Sequence, residues 1–260
     1  MNPYMINEEF LELKDFALGI PKNFDLMGEI IQDHRNVIKK VTTPQGTFVI
    51  KNFKGMYFFN RLAYSIFRKS KAERSYLHAL LLLDKGILTP PPIAWIDCRR
   101  LGLLTQSYFI SLYYPSKTLS EIFQRLDVND YDAKKNWYKR LASFTLKLHR
   151  LEIYHNDFTF GNMLVVETPD QFSFALVDLN RIAFRKVSYR DGLQNFSKLG
   201  VPKEELNMLI REYAELSSQP VEKSIATYWA SRKRSEFVRS IRKKLRKYTL
   251  TPLEKITTGK

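Results

Sequence analysis

The chain has 260 residues, of which 44% are apolar and 13% aromatic, a composition that supports a sizeable core and excludes a disordered chain. Its formal net charge of +15 calls for a negatively charged partner such as nucleic acid, an anionic membrane or a phosphorylated substrate. The single cysteine, Cys98, excludes an internal disulfide and any multi-cysteine metal site. We find no signal-peptide pattern at the N-terminus and no apolar run near the roughly 18 residues of a membrane span, so we expect neither export nor a bilayer crossing.

A β-hairpin is the first element that the residue pattern predicts. Asn36–Val41 and Thr47–Phe53 are rich in β-branched residues, and a short turn separates them. The second strand carries Lys51 among apolar neighbours. Such a lysine is usually an edge or solvent-facing charge, so the strand by itself leaves its role open.

A helix follows the hairpin. Apolar residues recur at helical spacing over Lys71–Lys85, and Gly86 is a favourable stop. Glu73 lies in its first turn. A strand lysine followed about twenty residues later by a helix glutamate is the arrangement that holds a lysine on nucleotide phosphates in protein kinases.

Two strands, a hinge and two helices are predicted between Gly86 and Leu151. The proline cluster at 90–92 prevents a return to helix, and Tyr113–Pro115 ends the second strand as a candidate hinge. After residue 181 the pattern is mainly helical. The predicted ranges are Ile93–Asp97 and Gly102–Leu112 for the strands, and Thr118–Arg125, Ala133–Arg150, Glu204–Leu216 and Val221–Tyr248 for the helices.

Two polar motifs, YHNDFTFGN and DLN, flank a predicted hairpin. Apolar runs over Met163–Val166 and Phe174–Val177 suggest two buried strands, which would place Asp157, Asn162 and Asp178 near one rim. One carboxylate at such a rim can orient and deprotonate an attacking hydroxyl, while the other two groups hold Mg²⁺ on nucleotide phosphates. The spacing therefore predicts a kinase.

These residues also have structural alternatives. Asp157 and Asn162 can form a turn with side-chain caps alone. We expect His155 to brace the loop rather than act as a base. Arg181 is expected to form a structural ion pair, with contact to an acidic substrate as its alternative.

The ordered set of Lys51, Glu73, a hinge, HNDFTFGN and DLN resembles the protein-kinase-like superfamily across most of the chain. Within it, KAERSYLHALLLLDKGILTPPPIAW and DLNRIAF resemble the bacterial lipopolysaccharide core kinases, which phosphorylate heptose or Kdo (3-deoxy-D-manno-octulosonic acid). The resemblance implies an α+β, two-lobed protein-kinase-like fold, with a small β-rich N-lobe over residues 1–112 and a larger, mainly helical C-lobe over residues 113–260.

The same resemblance implies the roles of the site residues and the cofactors ATP and Mg²⁺. Lys51 would contact the ATP phosphates and Glu73 would hold it. Asp157 would serve the hydroxyl of a lipid-linked or phosphorylated sugar acceptor. Asn162 and Asp178 would bind Mg²⁺.

The chain departs from protein kinases at two places. No GxGxxG precedes Lys51, so we expect other backbone or basic groups, around residues 33–39, to cradle the phosphates. Asn156 stands where many protein kinases have an arginine that senses a phosphorylated activation loop, and no APE motif follows Asp178. Regulation by loop phosphorylation is therefore not expected.

The C-terminal helix combines a basic and an apolar face. Residues 232–247 include nine lysines or arginines and one glutamate, while Trp229, Phe237, Ile241, Leu245 and Tyr248 share a face. We expect the apolar face to dock on the lobe and the basic face to attract an anionic membrane surface. The predicted localisation is cytoplasmic, peripheral to the inner membrane.

Two alternative functions remain open at this stage. One is another small-molecule or protein kinase of the superfamily. The other is a non-catalytic module that binds nucleic acid or membrane. The five intact site residues argue against a non-catalytic protein, and the absence of a nucleic-acid-binding motif makes nucleic acid an unlikely partner.

Overall fold

The computed structural model describes residues 2–54, 69–127, 130–167 and 172–249. The chain forms two compact units, and only the described residues of each unit are discussed below. The first comprises Met1–Arg125 and His155–Ala183, and the second comprises Leu126–Tyr154 and Phe184–Lys260. The division of the chain into lobes after residue 112 stays a prediction.

The first unit contains a six-stranded antiparallel sheet with the order β1-β5-β6-β4-β3-β2. The hairpin of β3 and β4 and the pair β5 and β6 confirm the strands expected from the sequence. The strand bounds are β1 Tyr4–Ile6, β2 Glu29–Asp33, β3 Val37–Thr43, β4 Gly46–Phe53, β5 Pro92–Arg100 and β6 Leu103–Leu112.

Strand β4 places Lys51 in the middle of this sheet. Phe48 and Ile50 are fully buried in the core, where they pack with the helix Lys14–Asn23. Side chains alternate along a strand, so Lys51 projects to the opposite face. Because β4 lies between β3 and β6 and the Lys51 side chain is only 13% exposed, Lys51 is neither an edge-strand nor a solvent-facing charge, and that alternative is excluded.

The helix Lys71–Asp84 confirms the predicted helix. The Ser70 side chain accepts a hydrogen bond from the Glu73 backbone N–H at 3.0 Å and so caps the first turn. Gly86 follows the helix with φ of 66°, a conformation that glycine adopts without strain. Farther along, His78 Nδ1 is 2.8 Å from the carbonyl oxygen of Leu179, so this helix holds the residue directly after Asp178.

The two-stranded ribbon of β8 (Met163–Glu167) and β9 (Phe172–Leu176) confirms the hairpin expected beside the catalytic motif. Residues 168–171 of its predicted turn lie outside the described residues. Leu176 anchors the ribbon, because its N–H donates to the Leu88 carbonyl at 2.9 Å and its carbonyl accepts from Thr89 Oγ1 at 2.8 Å. The chain then continues through a 3₁₀ turn at Leu179–Arg181. Other elements of this region are the helix Leu119–Arg125 and the short strands β7 Ile153–His155 and β10 Ile182–Phe184.

The second unit is helical in its described part, and its three longer helices match the predicted ones to within two residues at each end. A buried hydrogen-bond network holds its centre: His149 Nδ1 lies 2.8 Å from Tyr213 Oη, and His149 Nε2 lies 3.0 Å from Asn195 Oδ1. Over the described residues, no helix has the length and apolar character needed to cross a bilayer. The helix bounds are Tyr131–Arg150, Tyr189–Asn195, Lys203–Leu216 and Val221–Thr249.

Candidate active site

A cleft of about 830 Å³ in the first unit gathers four of the five predicted site residues. Its walls include the side chains of Lys51, Asp157, Asn162 and Asp178. These residues come from β4, from the loop after β7 and from the turn after β9. The sequence-distant motifs therefore meet at one cavity.

Asp178 is the most highly connected of these residues. Its backbone has φ of 56° and ψ of 46°, a left-handed conformation that aspartate tolerates better than most residues. One carboxylate oxygen, Oδ1, pairs with Lys51 Nζ and accepts from Asn180 Nδ2 at 2.9 Å, and Oδ2 lies 3.5 Å from Arg181 Nε. Burial favours a raised pKa for Asp178, but the charge and hydrogen bond of Lys51 and the charge of Arg181 outweigh burial and lower the pKa. The carboxylate is therefore ionised at neutral pH.

His155 braces the loop that carries Asp157, as expected. The ring is 1% exposed. Its Nδ1 accepts a hydrogen bond from the Asp157 backbone N–H at 3.1 Å, so Nε2, 3.1 Å from the Val177 carbonyl, is the donor to that oxygen. Burial lowers the pKa of His155, so the neutral ring ties the loop to the segment before Asp178.

Arg181 connects the two aspartates. Its Nε lies 3.5 Å from Asp157 Oδ2 and 3.5 Å from Asp178 Oδ2. The Arg181 carbonyl accepts from the backbone N–H of Asn156 at 3.0 Å and from Asn156 Nδ2 at 2.9 Å. The structural ion pair expected for Arg181 is thus confirmed, and it spans both carboxylates.

Asn162 completes the rim. Its side-chain Nδ2 donates to the backbone carbonyl of Asp157 at 2.8 Å. The backbone carbonyl of Asn162 accepts from the Val177 N–H at 3.0 Å. These bonds fix the asparagine between the catalytic loop and the residue before Asp178. Because the amide nitrogen is engaged in this way, the side-chain oxygen is the atom of Asn162 that suits a cation.

The donor set fits a magnesium ion that is shared with a nucleotide. Mg²⁺ binds through one or two protein oxygen ligands, with phosphate oxygens and water filling the other positions. Asn162 and Asp178 line the same cleft and supply one amide and one carboxylate oxygen. In the part of the chain that the structure describes, no cluster of three or more His, Cys, Asp or Glu could hold a metal by itself.

The structure does not bring Glu73 to Lys51. Among the described residues, the acidic partner of Lys51 within 4 Å is Asp178, and Glu73 Oε1 lies 3.9 Å from Lys69 Nζ. Glu73 does not line the cleft. The support of Lys51 by Glu73 therefore stays a prediction.

The hairpin of β2 and β3 lines the cleft where a glycine-rich loop would be expected. Eight of its residues contribute, and four of them fall in the range 33–39 that was expected from the sequence. Strand β2 was missed because all five of its side chains are exposed, so it has no apolar alternation to reveal it. The contributing residues are Glu29, Ile31, Gln32, His34, Arg35, Asn36, Ile38 and Lys40.

The segment predicted as a hinge also lines the cleft, through Tyr113 and Tyr114. The Tyr113 N–H donates to the Thr47 carbonyl at 3.0 Å, and the Lys40 ammonium lies 4.9 Å from the centre of its ring. Lys40 in turn pairs with Glu29 Oε1 at 3.0 Å. The sequence offered no signal for this cation–aromatic contact, since it joins residues far apart in the chain.

An antiparallel sheet packed against the helix Lys71–Asp84, followed by a loop with an aspartate and an asparagine and then by a second aspartate, defines a protein-kinase-like protein. The model of the lipopolysaccharide kinase (Kdo/WaaP) family matches residues 46–228. The chain belongs to this family, and it is a phosphotransferase that acts on a sugar hydroxyl.

The solved structures agree on the fold. The chain is similar to a structure described as WaaP in complex with acyl carrier protein, with a TM-score of 0.62 and 14% sequence identity over 90% of this chain and 97% of that one. At this identity the likeness shows the protein-kinase-like fold alone. None of the curated protein sequences matches the chain.

Proposed function

We propose that this protein transfers a phosphoryl group from ATP to a sugar, Kdo or heptose, of the lipopolysaccharide inner core. The observation that carries the proposal is the convergence of Lys51, Asp157, Asn162 and Asp178 on one cleft. The family relation supports a lipopolysaccharide substrate, and the choice between the two sugars belongs to the proposal.

Asp157 is the proposed catalytic base. Its carboxylate lines the cleft, its backbone N–H is bound to the buried His155, and Arg181 Nε lies 3.5 Å away. Asp157 would accept a hydrogen bond from the attacking sugar hydroxyl, orient it and take its proton as the new bond forms.

The other three residues would hold the phosphate donor. Lys51 lies in a central strand and would contact the phosphates of ATP, with Asn162 and Asp178 as ligands of Mg²⁺. When bound, this ion neutralises part of the charge that the phosphates carry. Since Lys51 is paired with Asp178 here, the lysine also keeps that carboxylate ionised and ready for a cation. Glu73 remains the proposed support of Lys51.

Product mapping tests the proposed function. Full-length protein is incubated with ATP, Mg²⁺ and deacylated core oligosaccharides that end in Kdo or in heptose, and mass spectrometry locates the added phosphate. We expect one phosphate on one of these sugars, and none with the Asp157→Asn variant.

Two outcomes would contradict the proposal. Transfer to a peptide or to an unrelated small molecule, with none to the oligosaccharides, would favour another kinase of the superfamily. A protein that binds the oligosaccharide or an anionic surface without phosphorylating anything would favour the non-catalytic alternative.

The second half of the C-terminal helix supports a peripheral location at an anionic membrane surface, which we also propose. The first half is docked, since Tyr228 is fully buried and Trp229 Nε1 donates to Asn207 Oδ1 at 2.8 Å. In the second half of the helix, the prediction that the apolar face docks on the lobe is wrong, because the large apolar side chains there are exposed. These are Phe237, Val238, Ile241 and Leu245.

An exposed apolar stripe on a strongly basic helix is the pattern of helices that lie at a membrane surface. The apolar side chains would enter the headgroup region, and each nearby cation would add on the order of 1 kcal/mol of attraction to an anionic leaflet. The helix would thereby bring the enzyme to a lipid-linked acceptor on the cytoplasmic face of the inner membrane.

A further inference from the structure

A second cavity, of about 380 Å³, lies beside the proposed active site within the first unit. It shares Arg35, Asn36, Asp178 and Arg181 with the cleft, so the two cavities have a common wall. The residues that line the second cavity alone are Lys71, Arg74, Asn156, Asn180 and Ile182.

The lining of this second cavity carries an excess of positive charge. Among the described residues that line it, Asp178 is the one carboxylate. That carboxylate already pairs with Lys51 and Arg181, so it has little charge left to offset the others. The four cations of the lining are Arg35, Lys71, Arg74 and Arg181.

Two of these cations occupy an unfavourable place for positive charge. Lys71 and Arg74 lie in the first turn of the helix Lys71–Asp84, at the positive end of its dipole. Burial lowers the pKa of Lys71, and the neighbouring charges of Arg181, Arg74 and Lys51 lower it further. A bound anion would relieve this mutual repulsion.

Two buried polar atoms of the lining, Arg74 Nε and Asn36 Oδ1, have no hydrogen-bond partner among the described residues. Arg74 Nε is a donor and suits an anionic oxygen. Asn36 Oδ1 is an acceptor and suits a hydroxyl group. The ligand that satisfies both atoms carries a negatively charged oxygen and hydroxyls together, as an acidic sugar does.

We propose that this cavity is an acceptor subsite that binds a phosphate or carboxylate group of the sugar substrate through Lys71 and Arg74. Arg181 joins the subsite to the proposed base, since it lines the cavity and its Nε is 3.5 Å from Asp157 Oδ2. An acceptor held by its anionic group would present a neighbouring hydroxyl to Asp157. This inference rests on the proposed function.

The test compares steady-state kinetics of the wild-type chain with those of Lys71→Gln and Arg74→Gln. Each variant loses a charge-assisted hydrogen bond, so we expect the KM for a deacylated core oligosaccharide to rise about tenfold. The kcat and the KM for ATP should stay within about twofold. Lys69→Gln is the matched control, because Lys69 is an exposed cation just before the same helix and does not line the cavity.

Two modified acceptors identify the anionic group. One oligosaccharide is treated with phosphatase, and the other has its carboxylates reduced to alcohols. Removing the anionic group that the subsite binds should raise the KM of the wild-type chain to the level of the variants. The KM of the variants should stay the same with the modified acceptor. If neither modification raises the wild-type KM, the subsite proposal is overturned.

Other outcomes separate this inference from the proposed function. If the wild-type chain phosphorylates the oligosaccharide and both variants match it, the kinase function stands and the subsite is overturned. A rise in the KM for ATP would assign the cations to the nucleotide and would also overturn the subsite.

If the wild-type chain phosphorylates no sugar, the proposed function fails, and calorimetric titration with inorganic phosphate tests the cavity by itself. Phosphate binding that both variants lose, with unchanged circular dichroism, supports an oxyanion site. Absence of phosphate binding to the wild-type chain overturns it.

Discussion

The rim of the cleft and the second half of the C-terminal helix are both densely charged, but their charges lie in opposite settings. At the rim, Asp178 is 19% exposed and is paired with Lys51 and Arg181. On the helix, residues 232–247 hold nine cations against one glutamate, and the described side chains from 235 to 242 are exposed.

This difference separates two uses of charge. Buried groups that pair with one another interact strongly and hold a fixed geometry, so their loss should damage chemistry. Exposed charges of one sign act over a distance of about 10 Å at moderate salt and are easily screened. Their loss should affect association with a surface and leave the chemical step intact.

The largest effect should come from Asp157→Asn at the rim. The substitution removes the proposed base, which is typically worth about 10² to 10⁴ in rate, while the asparagine keeps nearly the same shape. We expect kcat to fall by at least about 10² with ATP affinity little changed, as measured by steady-state kinetics and calorimetry. Wild-type turnover in a folded variant would remove Asp157 from the mechanism.

Asp178→Asn should weaken Mg²⁺-dependent ATP binding about tenfold, because a charged ligand becomes neutral. It also leaves Lys51 and Arg181 without their shared carboxylate partner. Titration with ATP in the presence and absence of Mg²⁺ measures the effect, and the loss should be confined to the titration with Mg²⁺. Equal affinity of wild type and variant for Mg·ATP would reassign Asp178 to a structural role.

Neutralising the C-terminal helix should affect the membrane step. We expect a variant with five glutamines to bind anionic vesicles at least about tenfold more weakly and to lose more activity on membrane-embedded than on deacylated acceptor. Rising salt should erase the difference. The substituted residues are Arg239, Arg242, Lys243, Lys244 and Lys247, of which the last three have side chains outside the described residues.

A matched control removes five exposed cations elsewhere and should bind vesicles like the wild-type chain. Equal losses of activity on both acceptors would mean that the helix supports the fold or the site. Loss of RNA or DNA binding with no change on vesicles would favour the nucleic-acid alternative. The control substitutions to glutamine are at Lys22, Lys85, Arg100, Lys135 and Lys139.

Asp97 provides the last test and contrasts a weakly paired carboxylate with a strongly paired one, because Arg99 lies 3.9 Å from its Oδ2. It is 2% exposed, and its Oδ1 has no hydrogen-bond partner in the structure. Burial raises the pKa of Asp97 to about 6, although a hydrogen bond from Ser70 and the charge of Arg99 oppose the rise. Asp178 is partly buried, yet its cationic partners give it a lowered pKa.

The raised pKa of Asp97 fixes the sign of a pH dependence. Between about pH 4 and pH 6 the folded state keeps the proton that the unfolded state has lost, so the free energy of unfolding falls as pH rises through this window. Asp97→Asn should remove this fall and should stabilise the protein by about 1–3 kcal/mol above pH 6. Denaturant unfolding at pH 4 and pH 7 measures the change, and parallel pH curves for both proteins would refute it.

Local pattern predicted most of the secondary structure. The helix Lys71–Asp84 and the hairpin of β3 and β4 each carry a clear period and a recognisable stop, so short-range information was enough. Strands β1 and β2 were not predicted, because β1 has only three residues and β2 has only exposed side chains. Strand β1 pairs with β5, which is distant in sequence, whereas β2 forms a hairpin with β3, the strand that follows it directly.

The candidate site likewise has one part that the sequence predicted and one part that it did not. The spacing of Asp157, Asn162 and Asp178 revealed the motif, because one loop and one hairpin present all three. The partner of Lys51 was not predictable, since Glu73 and Asp178 are both acidic and only the folded chain decides which carboxylate comes within reach.

Most of the helices and strands, the order of the polar motifs and the class of chemistry could be predicted from the sequence, because each depends on residues close together in the chain. Tertiary structure alone decided that Arg181 spans two aspartates, that Lys71 and Arg74 share a cavity with it, and that the C-terminal helix keeps its apolar side chains exposed. The physical reason is that ion pairs, cavities and burial depend on distances between side chains that the linear order of residues does not contain.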